Sequence, residues 1–301
     1  MLADVLLTGA SGFVGCHVAQ QARVRGLVIA SVDGDVRDRH VVLEAVSTAR
    51  PRAVVHLASA LRRSEDPWAA LADDVLMTGN VIAAVRELVP SAVVLVPGSA
   101  AQYGRGASAA LRESDPTLPL TPYGAAKCVL EQICTSGPLQ AGVRVIFTRS
   151  FNHMGPGQAE DAPVAAWARQ VAEAEVAGGG AVRVGRLDVR RDFLDVRDVA
   201  DAYLDLVQSD AAGVVNVCSG KAVVLADLAA MLSSLARFPV ALELEPALVR
   251  PSDPPAVVGD PTLLERLTGF RPRISLEQSL ADALDEQRSR IAARDVVVRS
   301  G

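Results

Sequence analysis

The chain has 301 residues, half of them apolar and 22% charged, which excludes disorder and allows one large α/β domain or two closely coupled ones. Thirty basic against 35 acidic side chains leave a net charge of −5, with no basic excess to favour nucleic acid or a membrane surface as partner. No apolar run approaches the ~20 residues that span a bilayer, and Met1 to Gly15, without a basic segment, reads as a first strand and not as a signal peptide.

Short apolar runs then alternate with helical patterns. Asp4–Leu7 predicts a strand, Gly12–Arg23 a helix and Leu27–Ala30 the second strand. Ser31–Asp38 is compressed, with almost no connection between a second and a third strand. Val41–Ala49 predicts a short helix, Ala53–Leu57 strand four, Leu71–Val89 a long helix and Ala92–Val96 strand five. Pro122–Cys134 is a helix before strand six, Val143–Thr148. This alternation predicts an α/β fold with a doubly wound parallel sheet covered on both faces. After Asn152 the pattern loosens into a smaller α/β lobe, with a strand at Ala181–Val184 and proline-rich stretches at Arg250–Pro255 and Arg271–Pro272. Asp195–Val207 and Gly213–Val217, a helix and a buried strand, return the chain to the sheet. From Ala292 a loose tail is expected. Cys16, Cys128, Cys134 and Cys218 lack CxxC spacing and read as reduced structural thiols in a cytoplasmic protein. No His/Cys/Asp cluster has metal-ligand spacing.

Thr8 to Gly15 reads TGASGFVG and joins the first strand to the first helix. Gly9 suits the tight turn, Gly12 lets backbone approach a pyrophosphate, and Gly15 lets the helix pack on the sheet. The helix N-terminus, at Ser11, Gly12, Phe13 and Val14, then offers N–H groups and a partial positive charge to phosphates. Asp33, ending the second strand, is the candidate ligand of an adenosine ribose, and Asp38 a candidate helix cap. An Asp there disfavours a 2′-phosphate, whereas Ser31 and Arg37 suit one, so NADPH and NADH both stay open, NADPH being preferred.

Tyr123 and Lys127 stand four apart on a predicted helix and share a face. A phenol is a weak proton donor at neutral pH, and a cation one helical turn away stabilises the phenolate. Of the 30 basic residues only Lys127 and Lys221 are lysine, so a lysine here is unusual. Ser99, at the C-terminal end of strand five, lies where open α/β sheets place ligands, and its hydroxyl would bond a carbonyl oxygen beside Tyr123.

With these residues the chain resembles, from Asp4 to about Gln287, the extended short-chain dehydrogenases/reductases acting on nucleotide sugars. Ser150 to Gln158, SFNHMGPGQ, is close to the FNHxGPGQ signature of GDP-mannose dehydratases and GDP-4-keto-6-deoxymannose reductases, and the reductases match best. The resemblance implies a Rossmann domain of residues 1–152 and about 192–218, and a discontinuous nucleotide-sugar lobe of about 153–191 and 219–291. It implies that Asp35 and Val36 meet the adenine edge and that Leu57, Ala58 and Ser59 line the cofactor. On the substrate side Ser99 and Ala100 would meet the sugar, Arg191 and Arg250 would clamp the diphosphate, and Asn152 would add a donor. Asp253 would accept from the ribose hydroxyls, and Arg186 would lie near the base. His56 and His153 read as packed, structural histidines, and His17 and His40 carry no signal.

Dehydratases of this family keep a Glu two residues before the Tyr-Gly pair that follows the catalytic Ser or Thr. Here Gly98 to Gly104 reads GSAAQYG, with Ala101 in that position, and a methyl group does no acid–base chemistry. The expected reaction is NAD(P)H-dependent reduction of the C4 ketone of an NDP-4-keto-6-deoxyhexose, dTDP being preferred to GDP. The alternatives are a 4-epimerase, with the same triad and a retained cofactor, and a non-catalytic dinucleotide sensor. A homodimer is expected, through Leu71–Val89 and Pro122–Cys134, which carry apolar residues on more than one face.

Overall fold

The structure, a computed structural model, describes residues 2–61, 64–104, 110–249 and 253–299. Four buried residues, Val5–Thr8, form β1, and the chain turns at Gly9 into α1, Phe13–Val24. The short strand β2, Ile29–Ser31, is followed by α2, Arg39–Ala49, whose first turn is capped by Asp38 accepting from His40 N at 2.8 Å. Next come β3, Ala53–His56, and α3, Pro67–Leu88. α3 starts before the expected Leu71 because Asp66 accepts from Trp68 N and Ala69 N while Pro67 presets the first turn. β4 is Val93–Pro97, α4 is Pro122–Thr135, α5 is Gly137–Gln140 and β5 is Arg144–Ser150.

The second half leaves the main sheet as β6, Asn152–Met154, α6, Pro163–Ala177, β7, Gly180–Val184, β8, Arg190–Arg191, and β9, Phe193–Asp195. It returns through α7, Val196–Gln208, and β10, Gly213–Val217. The remaining elements are β11, Val223–Val224, α8, Leu225–Ser234, β12, Val240–Leu244, β13, Ala256–Val257, α9, Thr262–Thr268, and α10, Leu276–Arg299.

The main sheet has the order β2-β1-β3-β4-β5-β10, and every neighbouring pair is parallel. Its Val-, Leu- and Ile-rich strands are buried on both faces, as a parallel sheet requires. One face packs against α1 and α7 through Val18, Ala22, Val199 and Leu206. The other packs against α2, α3 and α4 through Val46, Val81, Val85 and Leu130. A separate core joins α6, α8 and α10, with Trp167, Leu228, Leu232, Leu280 and Leu284 at its centre. Chain order reverses between β1 and β3, and that switch point is where such sheets bind ligands.

Three expectations are corrected. No strand forms in Ser31–Asp38 beyond Ser31 itself: Gly34 takes φ +122°, the Asp35 carboxylate accepts from Arg37 N at 2.9 Å, and the chain curls directly into α2. Ser99 therefore follows the fourth strand of the chain and not the fifth. The loose tail from Ala292 is instead the end of α10, since residues 276–299 hold no Gly or Pro to stop the helix. Among the described residues α3 is long and apolar enough to cross a membrane, contrary to the composition reading, but half of its apolar window is buried within the fold.

α1 lies so close to the turn that a Cβ on Gly15 would stand 2.1 Å from the Gly9 carbonyl oxygen. Gly15→Ala is expected to lose about 1–3 kcal/mol, the usual range for overpacking, read as a thermal midpoint lowered by several degrees. An unchanged midpoint would show that α1 is free to move off the turn.

Candidate active site

Gly9 opens the site with φ +66°, and a Cβ there would stand 2.8 Å from Ala58 N. The loops after β1 and β3 therefore meet backbone to backbone. Thr8 fastens them: its hydroxyl accepts from Ala58 N at 3.0 Å and lies 2.7 Å from His56 Nδ1. Burial, and secondarily the charge of Lys127, pushes the His56 pKa down to about 3, so the ring is neutral and structural. Gly12 caps α1 without a side-chain bond, which leaves the first-turn N–H groups at Phe13 and Val14 to an anion, with Ser11 exposed beside them. A bare turn and an uncapped helix end fit the diphosphate of a dinucleotide.

Asp33 is exposed just beyond β2, and Val36 is buried beneath the following loop. Asp35 has a partner already: the Arg37 guanidinium bonds it at 2.7 Å and holds its carboxyl below the usual carboxylate range. Arg37 also reaches Asp73 at 3.1 Å. Side-chain recognition of adenine by Asp35, or of a 2′-phosphate by Arg37, would have to open this pair. Leu57 and Ala58 are half-buried at the crevice, and the Ser59 hydroxyl turns away to Asp74 at 2.6 Å.

Ser99 follows β4 by two residues in extended conformation and caps a short 3₁₀ turn, Ala100–Gln102, its Oγ accepting from Ala101 N at 3.2 Å. With that bond made, the hydroxyl hydrogen is left to donate to another oxygen. Gln102 closes the turn from the other side, its Oε1 accepting from Ser99 N and its amide donating to Glu131 at 2.7 Å. Glu131 is itself bound by Arg149 at 2.6 Å, both side chains being almost fully buried. Burial opposes the Arg149 charge, but the bonds to Glu131 prevail and its pKa is raised. The Arg149 guanidinium also lies 4.7 Å from the centre of the Tyr103 ring.

α4 brings the other two catalytic candidates to this turn. Thr121 caps the helix by accepting from Gly124 N, and Pro122 fills its first position. A Cβ on Gly124 would stand 2.5 Å from the Ala101 carbonyl oxygen, so the residue after Tyr123 is pressed against the Ser99 turn. Tyr123 is half-buried, and the Lys127 ammonium lies 6.0 Å from its ring centre. Lys127 is buried and faces Asp74 on α3 at 3.7 Å.

In the second lobe Arg186, Arg191 and Asp253 converge. Arg191 Nη1 donates to the carbonyls of Arg190 and Pro254, and Nη2 lies 3.8 Å from the Asp253 carboxylate. Arg186 bonds Asp188 at 2.8 Å and donates to the Asp253 carbonyl at 3.2 Å. Asn152 donates to the Asp192 carbonyl. Ala100 is buried against Tyr103, Leu111, Phe151 and Cys218. Arg250 lies outside the described residues.

Five contributors went unread in the sequence: Thr8, His17, Asp74, Glu131 and Arg149. Polar residues inside otherwise apolar elements were the available signal for Asp74 in α3 and Arg149 in β5. Glu131, one turn beyond Lys127 on the buried face of α4, was another. For His17 there was none. Its Nε2 meets the Pro156 carbonyl at 2.8 Å, and Phe13 stacks on His153 with ring centres 5.8 Å apart, so α1 touches the SFNHMGPGQ segment.

GDP-6-deoxy-D-mannose reductase of Pseudomonas aeruginosa is 34% identical, covering 97% of this chain and 99% of the relative. The structure of RMD from Pseudomonas aeruginosa, complexed with NADPH, superposes with a TM-score of 0.85 at 32% identity, covering 96% and 99% of the two chains. Thermus thermophilus UDP-glucose 4-epimerase, solved with NAD, gives a TM-score of 0.81 at 25% identity, covering 94% and 98%. Residues 5–218 match the family described as the NAD dependent epimerase/dehydratase family, and the chain belongs to it.

Proposed function

We propose that the protein is an NAD(P)H-dependent ketoreductase that converts the C4 ketone of an NDP-4-keto-6-deoxyhexose to an alcohol in deoxysugar biosynthesis. The observation that carries this reading is the Ser99 turn. It presents a hydroxyl beside α4 with Tyr123 and Lys127, while the dehydratase Glu position holds Ala101. Gln102 does not replace that acid, since it is an amide with both ends bonded.

A bound nicotinamide cofactor would supply a hydride to the sugar C4. Ser99 would donate a hydrogen bond to the ketone oxygen, drawing electron density onto it. Tyr123 would give that oxygen its phenolic proton, and Lys127 would offset the phenolate that remains. Proton and hydride together make the alcohol. Gly9, Ser11, Gly12, Phe13, Val14, Asp33, Val36, Leu57 and Ala58 would hold the cofactor, and Arg186, Arg191, Asn152 and Asp253 the nucleotide sugar. NADPH is favoured as the cofactor by the Pseudomonas structure and GDP as the nucleotide by the Pseudomonas reductase, against the dTDP preference drawn from the sequence. A cytoplasmic homodimer completes the reading. Trp68 and Leu76 on α3 and Val129 on α4 are 80%, 49% and 43% exposed and would be covered by a second copy.

Tyr123→Phe is expected to lower kcat by roughly 10²–10⁴-fold, the range for general acid catalysis, with NADPH binding retained; near-normal turnover would remove Tyr123 from the mechanism.

Supplied with an NDP-4-keto-6-deoxyhexose from a separate dehydratase, the protein should consume NAD(P)H stoichiometrically, followed by nicotinamide absorbance. With NDP-mannose or NDP-glucose it should form no 4-keto-6-deoxy product. Dehydration at an ordinary enzymatic rate would overturn the assignment.

Light scattering at micromolar concentration should show a species twice the chain mass; a lone 31.5 kDa species would refute the dimer.

A further inference from the structure

Asp74 is a carboxylate in the middle of an apolar helix, with its side chain only 3% exposed. A buried carboxylate is costly unless paired and bonded, and each of its oxygens has partners. Oδ1 accepts from Ala60 N at 2.6 Å. Oδ2 accepts from the Ser59 hydroxyl at 2.6 Å and faces the Lys127 ammonium at 3.7 Å. One side chain on α3 thus ties the loop after β3, which lines the candidate cofactor site, to the lysine beside Tyr123.

The surrounding groups leave this carboxylate and Lys127 to each other. Asp73, next on α3, turns to Arg37 at 3.1 Å. His56, at the end of β3, is neutral. Glu131, one turn along α4, is taken by Arg149 and Gln102. The Lys127 charge is therefore shared between Asp74 and the Tyr123 ring.

We propose that Asp74 is a positioning residue: it anchors the cofactor loop and, by offsetting the Lys127 charge, keeps Tyr123 carrying the proton that reduction of a ketone consumes. The proposal rests on the reductive reading. An uncharged partner would leave the ammonium to act on the phenol alone, favouring the phenolate that an oxidation needs first. Asp74 thus biases one catalytic triad toward giving protons.

The test compares wild type, Asp74→Asn and Asp74→Ala, each checked for folding by thermal denaturation. Asp74→Asn keeps an acceptor for Ala60 N and removes the charge. It should bind NADPH within about threefold of wild type, while the alkaline limb of its kcat profile moves down by about one pH unit, less than a charge in direct contact would give because Asp74 acts through Lys127. Asp74→Ala loses the anchor as well, and its Kd for NADPH should rise about tenfold, as loss of the two charge-assisted bonds allows.

Tyrosinate absorbance titrated without sugar gives a second reading. The chain has three tyrosines. Burial pushes Tyr103 up to about 12 and raises Tyr203, and the phase that belongs to Tyr123 is identified as the one that vanishes in Tyr123→Phe. That phase should move to lower pH in Asp74→Asn. A shifted phase in a protein that reduces no 4-keto sugar would sink the substrate reading and leave the role of Asp74 standing. An unshifted phase and an unshifted kcat profile in a folded Asp74→Asn would overturn the proposal.

Discussion

An ion pair closed off from water is tolerated only when its polar atoms find partners, and every side-chain nitrogen and oxygen of Arg149 and Glu131 has one at the C-terminal end of the sheet. Glu131 accepts two bonds from Arg149 and one from Gln102, and a further Arg149 nitrogen donates to the Glu113 carbonyl. Because the pair cannot shift without stranding a charge, Gln102 is held, and through it the backbone of Ser99. The position of the serine is set by a charge two side chains away. Breaking such a buried pair by removing one partner typically costs about 3–5 kcal/mol.

A second chain of contacts reaches the site from the opposite edge. It runs from Gly9 through Ala58 to Ser59 and Ala60, and through Asp74 to Lys127. The two chains meet on α4, whose buried face carries both Lys127 and Glu131. A helix fastened at two points one turn apart has little freedom to rotate, and Tyr123 sits in its first turn. This is the supporting shell that a reactive side chain needs to hold its geometry. β6 and the segment after it are joined to the same frame by α1, through His17 on the Pro156 carbonyl and Phe13 on the His153 ring.

The chemistry is narrowed by what the turn lacks. Reduction of a ketone asks for a hydride, a proton and a donor on the oxygen, and in the proposed function Ser99 and Tyr123 would cover the last two. Loss of water from the sugar would need another acid–base group near the same turn, and Ala101 and Gln102 offer none. In a family described as epimerases and dehydratases, the resemblance to dehydratases implies a Glu where this chain has Ala101, and a methyl group in that place argues against water loss.

Local patterns in the sequence determined the parallel sheet, the glycine loop and the Tyr123–Lys127 pair, because these follow from short apolar runs, helix periodicity and spacing along one chain. The same rules misread Ser31–Asp38, where a glycine at positive φ and an Asp–Arg pair bend the chain away from the sheet. They also lost the helix after Ala292, where Val296–Val298 put three β-branched residues in a row and give no helical period to read. Tertiary structure alone decided the partners of Lys127 and Glu131. Asp74 and Lys127 are 53 positions apart, and Gln102 reaches Glu131 across 29. No periodicity spans such distances, and only the packing of α3 on α4 sets which buried carboxylate faces which cation.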